Sequence, residues 1–154
     1  MNENMSVRGC VELRQVRDGQ IINTVYNPNT VLTIGKSEIA RGMVADLTPG
    51  SRVDWMSIGI GSATITAADT TLGSEYLKYG LGNITGSTMT TTTANDTAYW
   101  VGSFGIDASK TVNEAGLFNA SGLNTGSMYA RTCFANIVAI SGDTIITDWR
   151  VAFA

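Results

Sequence analysis

Four carboxylates, Glu75, Asp96, Asp107 and Glu114, stand at or near the ends of segments that read as strands. Paired acids can hydrolyse a glycosidic bond when one protonates the leaving oxygen and the other attacks or activates water, with ~5–9.5 Å between the carboxyl groups. The chain has no His, which removes Ser-His and Cys-His nucleophile pairs and the commonest metal ligand together. A turn former or a sheet-edge solubiliser accounts for each acid more simply than catalysis does. The chain is therefore expected not to be an enzyme, with no catalytic residue, no cofactor and no metal. Glu114 is the most informative acid: in VNEAGLF it follows Asn113 and precedes a small-residue step into an apolar strand. It is expected to form a structural bridge to Arg131 or Arg150.

Asp143, and Asp69 with Thr70, are loop acids that a cation would accept, yet the alternating acids of a calcium loop are missing. GIGSATITAAD and GLGNITG are rich in Gly, but neither carries the Lys-Ser/Thr ending of a phosphate loop, so both read as turns. Sequons begin at Asn83, Asn95 and Asn119; in so Thr- and Ser-rich a chain they are matches by chance. Cys10 and Cys133 lie far apart on predicted strands without metal or redox spacing. Two separate buried thiols are expected, with a disulfide as the alternative. Trp55, Trp100, Tyr76, Tyr79 and Tyr99 supply ring faces on which a sugar can stack, although Trp100 lies within an apolar strand and reads as core.

The elements that must position these groups are mostly strands. In 154 residues, only 15% are charged, Gly numbers 17 and Pro 2, which favours short strands and tight turns over helices and fits one domain of 1–154. The net charge of -3 argues against nucleic acid, whose backbone needs clustered Lys and Arg. No apolar run approaches the ~18 residues of a membrane span, and MNENMSVRGC has neither a basic nor an apolar leader region. No membrane partner is expected, and folding in a cytoplasm is.

Period-two alternation is clearest in TIITDWRVAF, where Ile145, Thr147, Trp149, Val151 and Phe153 share one parity. The Thr147 hydroxyl on that buried side requires a partner. With the strands of VNEAGLF and MYARTCFANIVAI it makes a three-stranded final third, around which the chain is expected to be built. Earlier, 7–16 reads as a strand, Asp18-Gly19 as a type I′ hairpin turn, and 21–26 as the return strand, broken by Asn27-Pro28-Asn29. One amphipathic helix is predicted over 37–47, capped by Ser37 and stopped by Pro49-Gly50. Segment 55–61 reads as a strand with Met56, Ile58 and Ile60 on one face. Its other face, Ser57, Gly59 and Gly61, is small enough for another backbone to approach. A helical turn over 67–72, a short strand in SEYLKYG (74–80), a strand at an edge or interface over 87–93 and a central strand over 97–106 complete the list. Eight or nine strands and one helix close most naturally as an antiparallel β-sandwich, jelly-roll or immunoglobulin-like, or as a rolled-up, barrel-like version of it.

Several of these pieces, in order, resemble a family of small structural proteins of tailed-bacteriophage virions. They are Asn29-Thr30-Val31, the IGIG of 58–61, Asp69 to Leu72 with Glu75, the EAGLF of 114–118, Ala130-Arg131 with Phe134, and Gly142-Asp143-Thr144 with Trp149. The resemblance covers most of the chain but not Thr90–Thr93. It implies a virion component, assembled in the host cytoplasm, that works by binding: a capsid decoration or cement protein, or alternatively a tail-associated adaptor, fibre anchor or tail tip. It further implies a homo-oligomer, a trimer being one option, whose other partners are the major capsid protein or tail proteins. Residues 1–6, as an arm, and the Thr-rich hairpin or loop of 83–96 are the expected contact elements. A carbohydrate-binding module is the reading from a different class.

Overall fold

The computed structural model describes residues 6–43, 52–80 and 84–153. The first hairpin pairs β1 (Val7–Arg17) with β2 (Gln20–Val31) around Asp18 and Gly19, whose φ values of 50° and 75° are those a type I′ turn demands. The strand does not break at Asn27-Pro28-Asn29, as the sequence suggested. Pro28 pairs with Cys10, while its carbonyl accepts from Thr132 Oγ1 on the other side at 2.9 Å. The side of Pro28 that lacks an N–H therefore faces away from β1, and the ladder to β1 loses nothing.

Helix α1 (Thr33–Met43) begins four residues earlier than expected, and Ser37 lies inside it rather than at its cap. Its start is set from elsewhere: the Thr33 N–H and hydroxyl both donate to the Ala67 carbonyl at 3.0 Å, and the Leu32 N–H donates to Tyr129 O at 2.9 Å. The predicted stop at Pro49-Gly50 lies outside the described residues. Residues 67–72 form a turn and bends rather than a helical turn, since the Ala67 carbonyl is engaged by Thr33.

The remaining strands are β3 (Trp55–Gly59), β4 (Glu75–Tyr79), β5 (Ile84–Met89), β6 (Thr97–Gly105), β7 (Lys110–Phe118), β8 (Met128–Ala139) and β9 (Thr144–Phe153). All nine join one antiparallel sheet in the order β4-β3-β7-β8-β2-β1-β9-β6-β5. β6 is thus next to an edge, not central. β5 ends at Met89, short of the expected 93, because Asp96 folds Thr91 to Thr93 into a turn: its carboxylate accepts the N–H groups of all three at 2.7–2.8 Å. Ile60 leaves the strand and is 39% exposed, so only Met56 and Ile58 of its expected face are core.

The sheet curls because β2 changes partner. It follows β1 through Asn29 and meets β8 only at Thr30 and Val31. The inner faces of the two halves then close on each other: Tyr79 of β4 stacks on Phe104 of β6 with centroids 5.3 Å apart, and Thr147 of β9 donates to Met56 Sδ of β3 at 3.0 Å. Thr147 also finds Gly102 O at 3.2 Å, so its buried hydroxyl is satisfied. Leu13, Phe104, Ile145, Trp149, Ile58 and Ile137 fill the space between. Burial of each such side chain contributes roughly 1.5–3 kcal/mol. A smaller cluster of Leu32, Leu72, Phe118 and Met128, with Trp55 against it, forms separately under the loop between β3 and β4.

Candidate functional site

The densest polar construction is built on Glu114. The β7–β8 register slips between Val112 and Glu114, where Asn113 faces the three β8 residues Phe134, Ala135 and Asn136. Past this irregularity, Ala115 and Leu117 point into the core while Glu114 is covered by the loop joining β3 to β4. Its carboxylate is completely buried yet fully occupied. Oε1 accepts from Gly61 N and Ser74 N at 2.8 Å, and Oε2 accepts from Gly73 N at 2.9 Å and from Arg131 Nη2 at 2.8 Å. Arg131 continues to Asp69 Oδ2 at 2.6 Å. Burial pushes against ionising Asp69, but hydrogen bonds from Thr66 and Arg131 outweigh it and hold its carboxyl below the usual range.

The small face expected of Gly59 and Gly61 is what admits this carboxylate. A Cβ on Gly61 would stand 2.4 Å from Glu114 Oε1, and one on Gly59 would stand 2.7 Å from it. Of the two partners the sequence offered to Glu114, the structure selects Arg131. Arg150 instead lies over the Tyr99 ring, 5.7 Å from its centroid.

The other acids serve other partners. Glu75 pairs with Lys78 Nζ at 3.0 Å, and both side chains are almost wholly buried. Lys78 sits 3.8 Å from the centroid of the Phe118 ring and donates to Gly122 O and Thr125 O at 3.0 Å, while Asn124 N donates to Glu75. Asp107 accepts the Tyr76 hydroxyl. Asp143 accepts from Arg17 Nε at 2.7 Å, Gln15 Nε2 at 2.7 Å and Ile140 N at 3.0 Å, and this set, led by Arg17, depresses its pKa strongly. Asp148 is held by Arg14 and Tyr99. Glu75, Asp96, Asp107 and Glu114 thus each have their own hydrogen-bond partners and share none of those described. Among the described residues no three acids, Cys or His gather where they could hold a metal ion.

Cys10 and Cys133 are free, as two separate thiols, but half-buried rather than buried. Cys133 lines a polar groove of about 320 Å³ with Asn27, Ser62, Asn113 and Asn136 at the β8 irregularity. Burial raises its pKa, which disfavours the thiolate a nucleophile would need. The rings weighed as sugar platforms are engaged as well: Tyr79 by Phe104, Tyr76 by Lys110 and Asp107, Tyr99 by Asp148 and Arg150. Trp55 packs on the small cluster, its ring so near Gly80 that a Cβ there would come within 2.6 Å. Trp100 lines an apolar cavity of about 200 Å³ with Ile39, Val53, Tyr129 and Phe153.

Lys78, Arg17 and Gln15 were not singled out from the sequence, though each anchors a loop or turn. Glu75 and Lys78 stand three apart in SEYLKYG, and only their shared burial makes the pair important. The two ends of the sheet also differ. The side chains of Lys78 and Glu75 on β4 are tied to the 119–127 loop, whereas among the described residues β5 pairs with β6 alone and residues 85–88 are exposed. Of the expected contact elements, residues 1–5 and Asn83 lie outside the described residues.

Comparison with known proteins returns no match of any kind: no family model fits the chain, and no curated protein or solved structure is significantly similar to it. Among the described residues no helix is long and apolar enough to cross a membrane.

Proposed function

We propose that this chain is a structural protein of a tailed-phage virion, a decoration or cement protein that binds the capsid surface and has no enzymatic task. The observation that carries the reading is the use made of the polar side chains. Glu114, Asp69, Glu75, Asp96 and Asp143 are all committed to holding loops and turns onto the sheet. A module whose polar groups brace its own loops, and whose β5 strand is exposed over residues 85–88, suits contact with other proteins. Many copies on a symmetric shell then add weak contacts through avidity. The same chemistry serves a tail-associated adaptor, fibre anchor or tail tip, which is the alternative site on the particle.

We also read the curled sheet as a β-sandwich, jelly-roll or immunoglobulin-like. Its support is that side chains of β4 and β3 reach across one core to β6 and β9, Tyr79 stacking on Phe104 and Thr147 donating to Met56. The carbohydrate-binding reading is weakened by the engagement of Tyr76, Tyr79 and Tyr99, and a glycan array tests it cheaply.

The deciding experiment is copy number per purified particle, by quantitative mass spectrometry against the major capsid protein. A fixed large fraction of that protein supports shell decoration once imaging excludes the tail tube. A few to a few dozen copies move the chain to the tail, and absence from particles overturns the reading.

A further inference from the structure

We propose that the cavity between α1 and the curled sheet binds small hydrophobic amines, with the apolar body inside and the ammonium on Glu38. This goes beyond the virion reading and does not depend on it.

The cavity, about 200 Å³, has an apolar floor and a half-buried rim. Val31, Leu117, Ala130 and Val151, buried and drawn from four strands, make the floor. A water needs about two to four polar partners to stay in a cavity, and these side chains offer none. Apolar voids of about 150 Å³ instead take up benzene. This one has room for a ring with a short arm, and the half-buried Trp100 and Phe153 leave that arm a way out along the rim.

Glu38 stands on the same rim. Gly35 lets α1 approach β8 so closely that a Cβ would stand 2.3 Å from Tyr129 O, and Glu38, three residues on, shares that inward face. Lys36 and Ser37 are exposed, but the Glu38 side chain is only 16% exposed. An acid on the inward face of a helix departs from the apolar pattern of such faces, and departures of that kind collect at functional sites.

The carboxylate is also only half satisfied. Its Oε1 accepts from Arg41 Nη1 at 3.0 Å, while Oε2 is buried with no hydrogen-bond partner among the described residues. A buried acceptor without a donor is costly, most of all a charged one. The last torsion of a Glu side chain is broad, so a small turn offers that oxygen to the cavity. Three features then define the occupant. Apolar walls select a hydrophobic body, the volume limits it to about one ring, and the carboxylate selects a positive donor, since hydrogen bonds between ionised partners are the strong ones. An anion of the same shape would meet Glu38 with like charge.

The test titrates the full chain at about pH 7, where an alkylamine is protonated, with phenethylamine, its neutral analogue phenethyl alcohol and its anionic analogue hydrocinnamate, followed by amide NMR shifts. Phenethylamine is expected to bind saturably with a Kd under about 1 mM, at least about tenfold tighter than the alcohol, with hydrocinnamate weakest. Glu38→Gln is expected to remove the advantage of the amine and leave the affinity for the alcohol in place. Ala98→Leu, which fills the cavity from β6, is expected to weaken the amine and the alcohol together without lowering the unfolding midpoint. Phenethylamine shifts that do not saturate, a smaller advantage over the alcohol, or an advantage that survives Glu38→Gln would overturn the proposal.

Discussion

Arg131 lies opposite Gly116 in the β7–β8 register, yet its guanidinium closes diagonally on Glu114, 2.8 Å away, with neither side chain more than 3% exposed. The diagonal couples two strands to the loop between β3 and β4, because Glu114 also receives the N–H groups of Gly61, Gly73 and Ser74. Breaking a buried pair from one side leaves a charge without compensation, at a cost of about 3–5 kcal/mol. Glu114→Gln is expected to lose that much in urea unfolding, since the amide also turns an NH₂ toward backbone donors. A loss under about 1 kcal/mol would mean that the clasp adds no more than a surface pair.

The same clasp makes Gly61 intolerant. Gly61→Ala would put a Cβ 2.4 Å from Glu114 Oε1 and 2.7 Å from Ser74 N. A loss of about 1–3 kcal/mol is expected, with faster proteolytic nicking in the 60–74 loop than in the native chain. Gly105→Ala is the control: its Cβ would meet nothing within 4 Å, so stability should change by less than about 0.5 kcal/mol.

Acid should unfold the protein through Asp143, Asp69 and Asp96. Hydrogen bonds led by Arg17 hold Asp143 low, backbone N–H groups led by Thr93 hold Asp96 low, and Asp69 lies low despite its burial. Each folded pKa is below the unfolded value of about 4, so the stability these groups contribute is complete above that pH and lost as pH falls through the folded values. With no His in the chain, urea midpoints should be flat from about pH 5 to 8 and drop steeply below 4. Asp143→Asn should make that drop shallower. An unchanged acid limb would remove Asp143 as a cause.

Lys78 is the fourth test. Lys78→Met removes the ammonium that lies over Phe118 and leaves Glu75 buried without its cation. A loss of about 3–5 kcal/mol is expected, largely recovered by adding Glu75→Gln, which a double-mutant cycle would register as coupling between the two positions. Additive losses would show that the two side chains act independently.

Local chemistry was legible in the sequence and long-range chemistry was not. The parity of Ile145, Thr147 and Trp149 and the positive φ of Asp18 and Gly19 follow from period and residue type alone. The smallness of Gly59 and Gly61 announced a close approach, and the structure adds that a carboxylate makes it. Thr33 could not be recognised as a helix start, because its partner Ala67 lies 34 residues away. Pro28 looked like a break because residue type does not reveal which neighbour a missing N–H faces. The Glu114 bridge was readable to within two arginines. The three backbone donors that complete it belong to a loop whose path no periodicity encodes.

The sheet order also has a consequence in time. β1 and β2 can zip into a hairpin as soon as they emerge during synthesis, but the strand that flanks β1 on its other side is β9, the last of the nine. Until then β1 waits with one edge bare, and its Arg14 has no Asp148, 134 residues further on, to bind. The centre of the sheet is therefore finished last, after translation has delivered every other strand. A topology of such distant pairings belongs with the slow folders, completing its fold in milliseconds to seconds rather than microseconds.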